Sequence, residues 1–213
     1  LCDRRQRQMC IRDRQYSDEN EPCVLELMNQ VLIAYETITS LFKLKNYNRK
    51  IIICLYNSVE ELHNEVFGEK QEEWKVAIED EEGNLKLVTP LNSGAVHSYS
   101  DIMKIAQKTV ADSILADNFE YIPKWLDITT YIFGLNDAKT TYSYKKLDIG
   151  NVRSFSDAYF ITLSLINTYG INKVIKLYKK AKNYNKVLKA SDSEINNICL
   201  LYTSPSPRDM RRS

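Results

Sequence analysis

Residues 74–89 read Trp-Lys-Val-Ala-Ile-Glu-Asp-Glu-Glu-Gly-Asn-Leu-Lys-Leu-Val-Thr, and this stretch decides the fold class. Trp74, Val76 and Ile78 recur at every second position, the period of a strand with one face turned to a core. Leu85 and Leu87 repeat the pattern over Leu85–Thr89. The acidic segment between them, Glu81–Asn84 with Gly83, is turn chemistry, so Trp74–Asp80 and Leu85–Thr89 are predicted to form a hairpin. Upstream, Arg49–Tyr56 (RKIIICLY) is short, β-branched and bounded by polar residues, which marks a buried strand. The three segments are expected to form one small antiparallel sheet.

Helices surround that sheet. Val24–Phe42 places Leu27, Val31, Ala34, Tyr35, Ile38, Leu41 and Phe42 at helical spacing. Ser58-Val-Glu-Glu61 is a capping box that opens a helix ending at Gly68. Pro90–Gly94 reads as a loop. Ser98-Tyr-Ser-Asp101 caps a long helix reaching about Ala116. Pro123 suits the first position of a helix carrying Trp125, Leu126, Tyr131 and Ile132 to Gly134. Phe155–Tyr169 is amphipathic and closes at Gly170. A further helix runs from Ile171 to about Lys182, and Ser191-Asp-Ser-Glu194 caps a last one. A small sheet followed by a helical half is an α+β arrangement.

The two ends differ from the middle. Eight of the ten arginines lie in residues 1–14 and 199–213, whereas the segment between holds nineteen lysines and only Arg49 and Arg153. Residues 4–14 (RRQRQMCIRDR) and 199–209 (CLLYTSPSPRD) resemble the two translated ends of a transposase-type sequencing adapter. Residues 1–14 and 199–213 are therefore expected to be adapter-derived, and 15–198 to be the biological domain, truncated at both ends. That segment carries 21 basic and 25 acidic residues, a formal charge of −4. It lacks the basic footprint of a nucleic-acid binder. Cys23 and Cys54 are too few for a disulfide scaffold and have no metal-ligand spacing. No apolar run is long enough to cross a bilayer. The wealth of Lys, Asn, Ile and Tyr points to an AT-rich, bacterial genome. The compartment stays open, because on this expectation the native N-terminus is missing.

Five blocks in order, LYNSVEELHNEVFG, EEWKVAIEDEEGNLKLVTPLNSG, HSYSDIMKIAQKTVADSIL, IPKWLDITTYIFG and DAYFITLSLINTYGINKVIKLYKK, together resemble the gluzincin metallopeptidases. They look most like the bacterial peptidase MA-like group. The resemblance covers nearly all of Val24–Ile198 and implies a zincin-like fold. In that family the helix after the hairpin carries His-Glu-x-x-His, whose two His bind zinc and whose Glu activates the metal-bound water. A Glu on the next helix, within Trp-Leu-x-Glu-Gly, is the third ligand.

The resemblance places the first His at Lys108, the catalytic Glu at Thr109, the second His at Asp112 and the third ligand at Ile128. All four have changed. An ammonium repels a dication, Thr109 has no pKa suited to general-base work near neutrality, and Ile128 has no lone pair. Asp112 alone does not hold zinc, and Asp127 points to another side of the helix. The implication is a domain with no cofactor, no metal and no catalytic residue. Lys108 and Asp112 stand four apart and are expected to pair where the family holds its metal. Partial burial would make loss of one partner cost roughly 3–5 kcal/mol.

His63 and His97 are read as an ordinary surface or half-buried residue and a loop residue, and Glu79–Glu82 as a solvated hairpin tip rather than a cation site. There is no phosphate loop, nucleophile elbow or Cys-x-x-Cys. The resulting expectation is an inactive pseudo-metallopeptidase domain, structural or holding an extended peptide along the hairpin edge, Trp74–Asp80 or Leu85–Thr89. The alternative is an active zinc peptidase with an unconventional or misaligned site.

Overall fold

The computed structural model describes residues 17–45, 47–120, 122–123, 125–135 and 155–180. The adapter-like ends and the capping box Ser191–Glu194 lie outside the described residues. The chain divides into two compact units. One comprises Leu1–Asn118 and Phe133–Leu135, the other Phe119–Ile132 and Asn136–Ser213.

The first unit is α+β. Helix α1, Glu21–Leu41, starts three residues ahead of the expected Val24 because Pro22 is favoured in a first turn, where its missing N–H costs nothing. It buries Cys23, Leu27, Val31, Ala34, Tyr35 and Ile38, one stripe at helical period. That stripe packs on α3, Tyr99–Asn118. The capping box of α3 forms reciprocally: Asp101 N–H donates to Ser98 Oγ, and Ser98 N–H to the Asp101 carboxylate. α2, Val59–Phe67, is capped by Ser58 Oγ and stopped by Gly68 at φ 71°, where a side chain would be strained.

The sheet holds β1, Ile53–Tyr56, β2, Ala77–Glu79, and β3, Leu85–Val88, in the order β1-β3-β2. β2 and β3 are the expected antiparallel hairpin. β1 pairs with β3 in parallel, so the sheet is mixed and not the antiparallel one that periodicity suggests. The reason is physical. Alternation reports which side chains share a face and carries no strand direction. β1 is buried on both faces at Ile53 and Cys54, an environment parallel strands also fill. Each strand is also shorter than its apolar run, because pairing ends before the apolar residues do. Leu85 and Leu87 stand opposite Glu79 and Ala77, and Glu79 meets Ser113 of α3, so this face of the sheet lies on α3.

The second unit is helical among its described residues. α4 is Ile128–Phe133, all but its last residue in this unit, α5 Phe155–Tyr169 and α6 Ile171–Lys180. α4 begins five residues after Pro123. Asp127 takes the capping role instead, accepting from Thr130 N–H and Thr130 Oγ1. Trp125 and Leu126 are buried ahead of the helix, not on it. Thr162 on α5 accepts from Asp127 N–H and donates to the Ala158 carbonyl. Gly170, at φ 79°, makes the turn between α5 and α6. No described helix is long and apolar enough to cross a membrane.

Gly83 at the hairpin tip has φ 81°, and a Cβ there would come 1.7 Å from Arg49 Nη2. Gly83→Ala is expected to cost roughly 1–3 kcal/mol, from left-handed strain and displacement of the guanidinium. In an Arg49→Ala background the second cost disappears. A double-mutant cycle by urea unfolding should therefore show coupling of at least about 0.5 kcal/mol. Additive losses would show that Gly83 is needed for its backbone conformation alone.

Candidate functional site

α3 presents Lys108 and Asp112 one turn apart, and they pair, Nζ to Oδ2, at 2.5 Å. Their side chains are 24% and 46% exposed. Thr109 sits between them and donates its hydroxyl to the Ile105 carbonyl one turn back. In the second unit, Ile128 opens α4 and is 1% exposed. Asp127 caps α4, so its carboxylate already accepts from Thr129 and Thr130. A zinc ion needs several lone pairs converging at about 2 Å. An ammonium, a hydroxyl turned to its own helix and a buried isoleucine do not fit it. Among the described residues no group of three His, Cys, Asp or Glu could hold a metal ion.

The histidines have other work. His63 is fully buried, not superficial. Its Nδ1 accepts from Gln71 N–H at 3.2 Å, so the ring hydrogen is on Nε2, which donates to the Lys75 carbonyl at 2.8 Å. Both nitrogens are thereby engaged, and the ring ties α2 to the start of the hairpin. His97 donates from Nε2 to the Trp74 carbonyl at 3.1 Å and joins the loop before α3 to the same point. The groove along α2 lined by Glu60, Glu61, Asn64 and Glu65 includes Ser58, whose hydroxyl caps that helix, and Glu61 accepts from Asn57 N–H.

A polar cluster that sequence reading missed lies at the hairpin tip. Arg49 donates from Nη1 to Ser113 and Asp117, and from Nη2 to Glu79 and the Gly83 carbonyl, all at 2.7–2.9 Å. Ser113 donates in turn to Glu79, and Tyr47 to Asp117. Burial opposes the charge of Arg49, but bonds to Asp117 and Glu79 outweigh it and hold its pKa above the ordinary value. Burial, and then the Asp117 carboxylate, push the Tyr47 phenol up. At the turn, Asp80 accepts from Glu82 and Asn84 backbone N–H groups, which hold it below the usual carboxylate range against the opposing effect of burial.

The sheet edge is the remaining feature. Val88 N–H donates to the Val76 carbonyl and Asp80 N–H to the Asn84 carbonyl. The antiparallel alternation therefore turns residues 76, 78 and 80 toward β3, and the N–H and C=O groups of Ala77 and Glu79 away from it. Leu85 and Thr89 donate instead to Ile52 and Tyr56 carbonyls beside β1. β3 is thus central, and Leu85–Thr89 offers no edge. Of the two hairpin strands only β2 does.

No protein-family model matches the chain, and neither does any curated protein or solved structure.

Two substitutions test this geometry. His63→Leu should cost about 1–3 kcal/mol, because it leaves the Gln71 N–H and Lys75 carbonyl without their partner. An unchanged urea midpoint would show that neither bond matters. Asp112→Asn should cost about 1 kcal/mol, since Asp112, 46% exposed, is partly screened by solvent. A loss of several kcal/mol would restore the view that Lys108 is a stranded buried charge.

Proposed function

We propose that this chain is a gluzincin-like pseudo-metallopeptidase domain that holds an extended peptide as an added strand on β2. The carrying observation is the outward pair of backbone residues, Ala77 and Glu79, on a strand that ends the sheet among the described residues. An extended segment matches such an edge with alternate main-chain bonds. The order of elements fits the gluzincin resemblance: helix, strand, helix, hairpin, long helix, then a helical half. The Lys108–Asp112 pair and Ile128 supply no metal chemistry at the family's ligand positions. Recognition by main-chain pairing needs none.

The probe is a capped seven-residue peptide of alternating threonine and valine, titrated calorimetrically against the full chain. Binding is expected to survive chelator. Ala77→Pro should abolish it, because proline removes an N–H that faces away from β3, and edge strands tolerate proline there. N-methylation of alternate peptide residues should have the same effect with the protein unaltered. Binding indifferent to both changes would overturn the edge reading. Cleavage of the peptide, stopped by chelator and restored by zinc, would overturn the loss of the metal site.

A further inference from the structure

The two ends of β2 differ in chemistry. In the turn three residues before the strand, Trp74 is 56% exposed, an uncommon state for the largest apolar side chain. The His97 bond to the Trp74 carbonyl holds the loop carrying Val96, 55% exposed, at the same end. β3 finishes there too, and Leu91, 49% exposed, follows it directly. Where β2 ends, the tip carries Glu81 and Glu82, both exposed. The other carboxylates nearby are already engaged: Glu79 and Asp117 by Arg49, and Asp80 by its own turn. Lys86 on β3 lies near Asp80, and the net charge at that end is negative.

Resting on the reading of β2 as a docking edge, we infer that its occupant is an extended segment with a basic residue at its N-terminal end and a large apolar one at its C-terminal end. β2 runs from the Trp74 side toward the acidic tip. Antiparallel addition, the slightly more stable pairing, runs the guest from the tip back to Trp74. Its first residues then meet Glu81 and Glu82, and its last meets Trp74 and Val96. The paired stretch is Ala77–Glu79, about 10 Å at roughly 3.4 Å per residue, and the guest residues before and after it reach the acidic tip and the Trp74 side. The main-chain bonds at Ala77 and Glu79 supply the extended conformation. The two ends supply direction, since a reversed guest sets its lysines on the indole patch and its aromatic on the carboxylates.

The test compares four capped peptides with a shared Thr-Val-Thr-Val centre, on the full chain. One has Lys-Lys before the centre and Phe after it. The others are its reverse, a Glu-Glu version and an Ala-for-Phe version. The first should bind about tenfold more tightly than the reverse and the Glu-Glu forms. Trp74→Ala should cancel the advantage of Phe over Ala, as loss of an aromatic anchor does. Glu81→Lys with Glu82→Lys should favour the Glu-Glu peptide, and this charge preference should shrink at high salt. Equal affinity for all four peptides, each still lost on Ala77→Pro, overturns the directional inference and leaves the docking edge standing. Preference for the reversed peptide also overturns it. Absence of binding by any of the four removes both.

Discussion

One guanidinium fixes the geometry of the first unit. Arg49 precedes β1, yet its planar fork reaches the last turns of α3 through Ser113 and Asp117, the edge strand through Glu79 and the hairpin turn through the Gly83 carbonyl. A lysine could satisfy one or two of these acceptors from a single point. The fork satisfies four at once in fixed directions. The cluster continues into α1, since Tyr47 bonds to Asp117 and the Tyr35 hydroxyl donates to the Tyr47 carbonyl. The hairpin, α3 and α1 are thereby joined at one place, and the glycine at position 83 is the space that the fork occupies.

This arrangement explains how β2 can remain an open edge. Exposed edges invite indiscriminate pairing, and proteins limit them by length and charge. β2 has three residues, and Glu79 among them turns its side chain to Arg49 and Ser113 while its backbone faces outward. His63 engages the Lys75 carbonyl, and Lys75 N–H donates to the Glu72 carbonyl, so the ladder cannot extend in that direction. What is left is a short, rigid pairing surface bounded by an indole at one end and carboxylates at the other. On the proposed reading, such a surface selects by the residues at its ends more than by its length.

Much of this could be read from the residues. The capping boxes at Ser58 and Ser98, the stop at Gly68, the existence of the hairpin, though not its start at Trp74, and the apolar stripe of α1 all follow from local rules, because each depends on neighbours within a turn or two. The parallel direction of β1 did not, since a run such as Ile51–Ile53 looks the same in either direction. The start of the helix after Pro123 was misplaced because Pro and Asp127 both suit a helix N-terminus, and only tertiary burial of Trp125 and Leu126 decides between them. The burial of His63 was missed as well. A lone histidine carries no mark of the two backbone groups that will enclose it. Arg49 did leave a signal: in a segment that otherwise uses lysine almost throughout, a retained arginine marks a place where the fork is required.

The Lys108–Asp112 pair bears on how such a domain could do without a metal. α3 buries Ile102, Met103, Ala106, Gln107, Val110, Ala111, Ser113, Ile114 and Leu115, so most of its circumference already meets α1 or the sheet. Its fold is secured by those contacts. The pair is partly exposed, Asp112 more than Lys108, and lies off the apolar stripe of the helix. In small metal-folded modules the ion supplies the folding energy, and removing its ligands unfolds the chain. Here the apolar contacts of α3 are independent of Lys108, Thr109 and Asp112. On the proposed reading, ligand positions on such a helix are free to change as soon as hydrolysis is no longer needed. The β2 edge is held by a different set of residues, centred on Arg49, and can persist when those positions change.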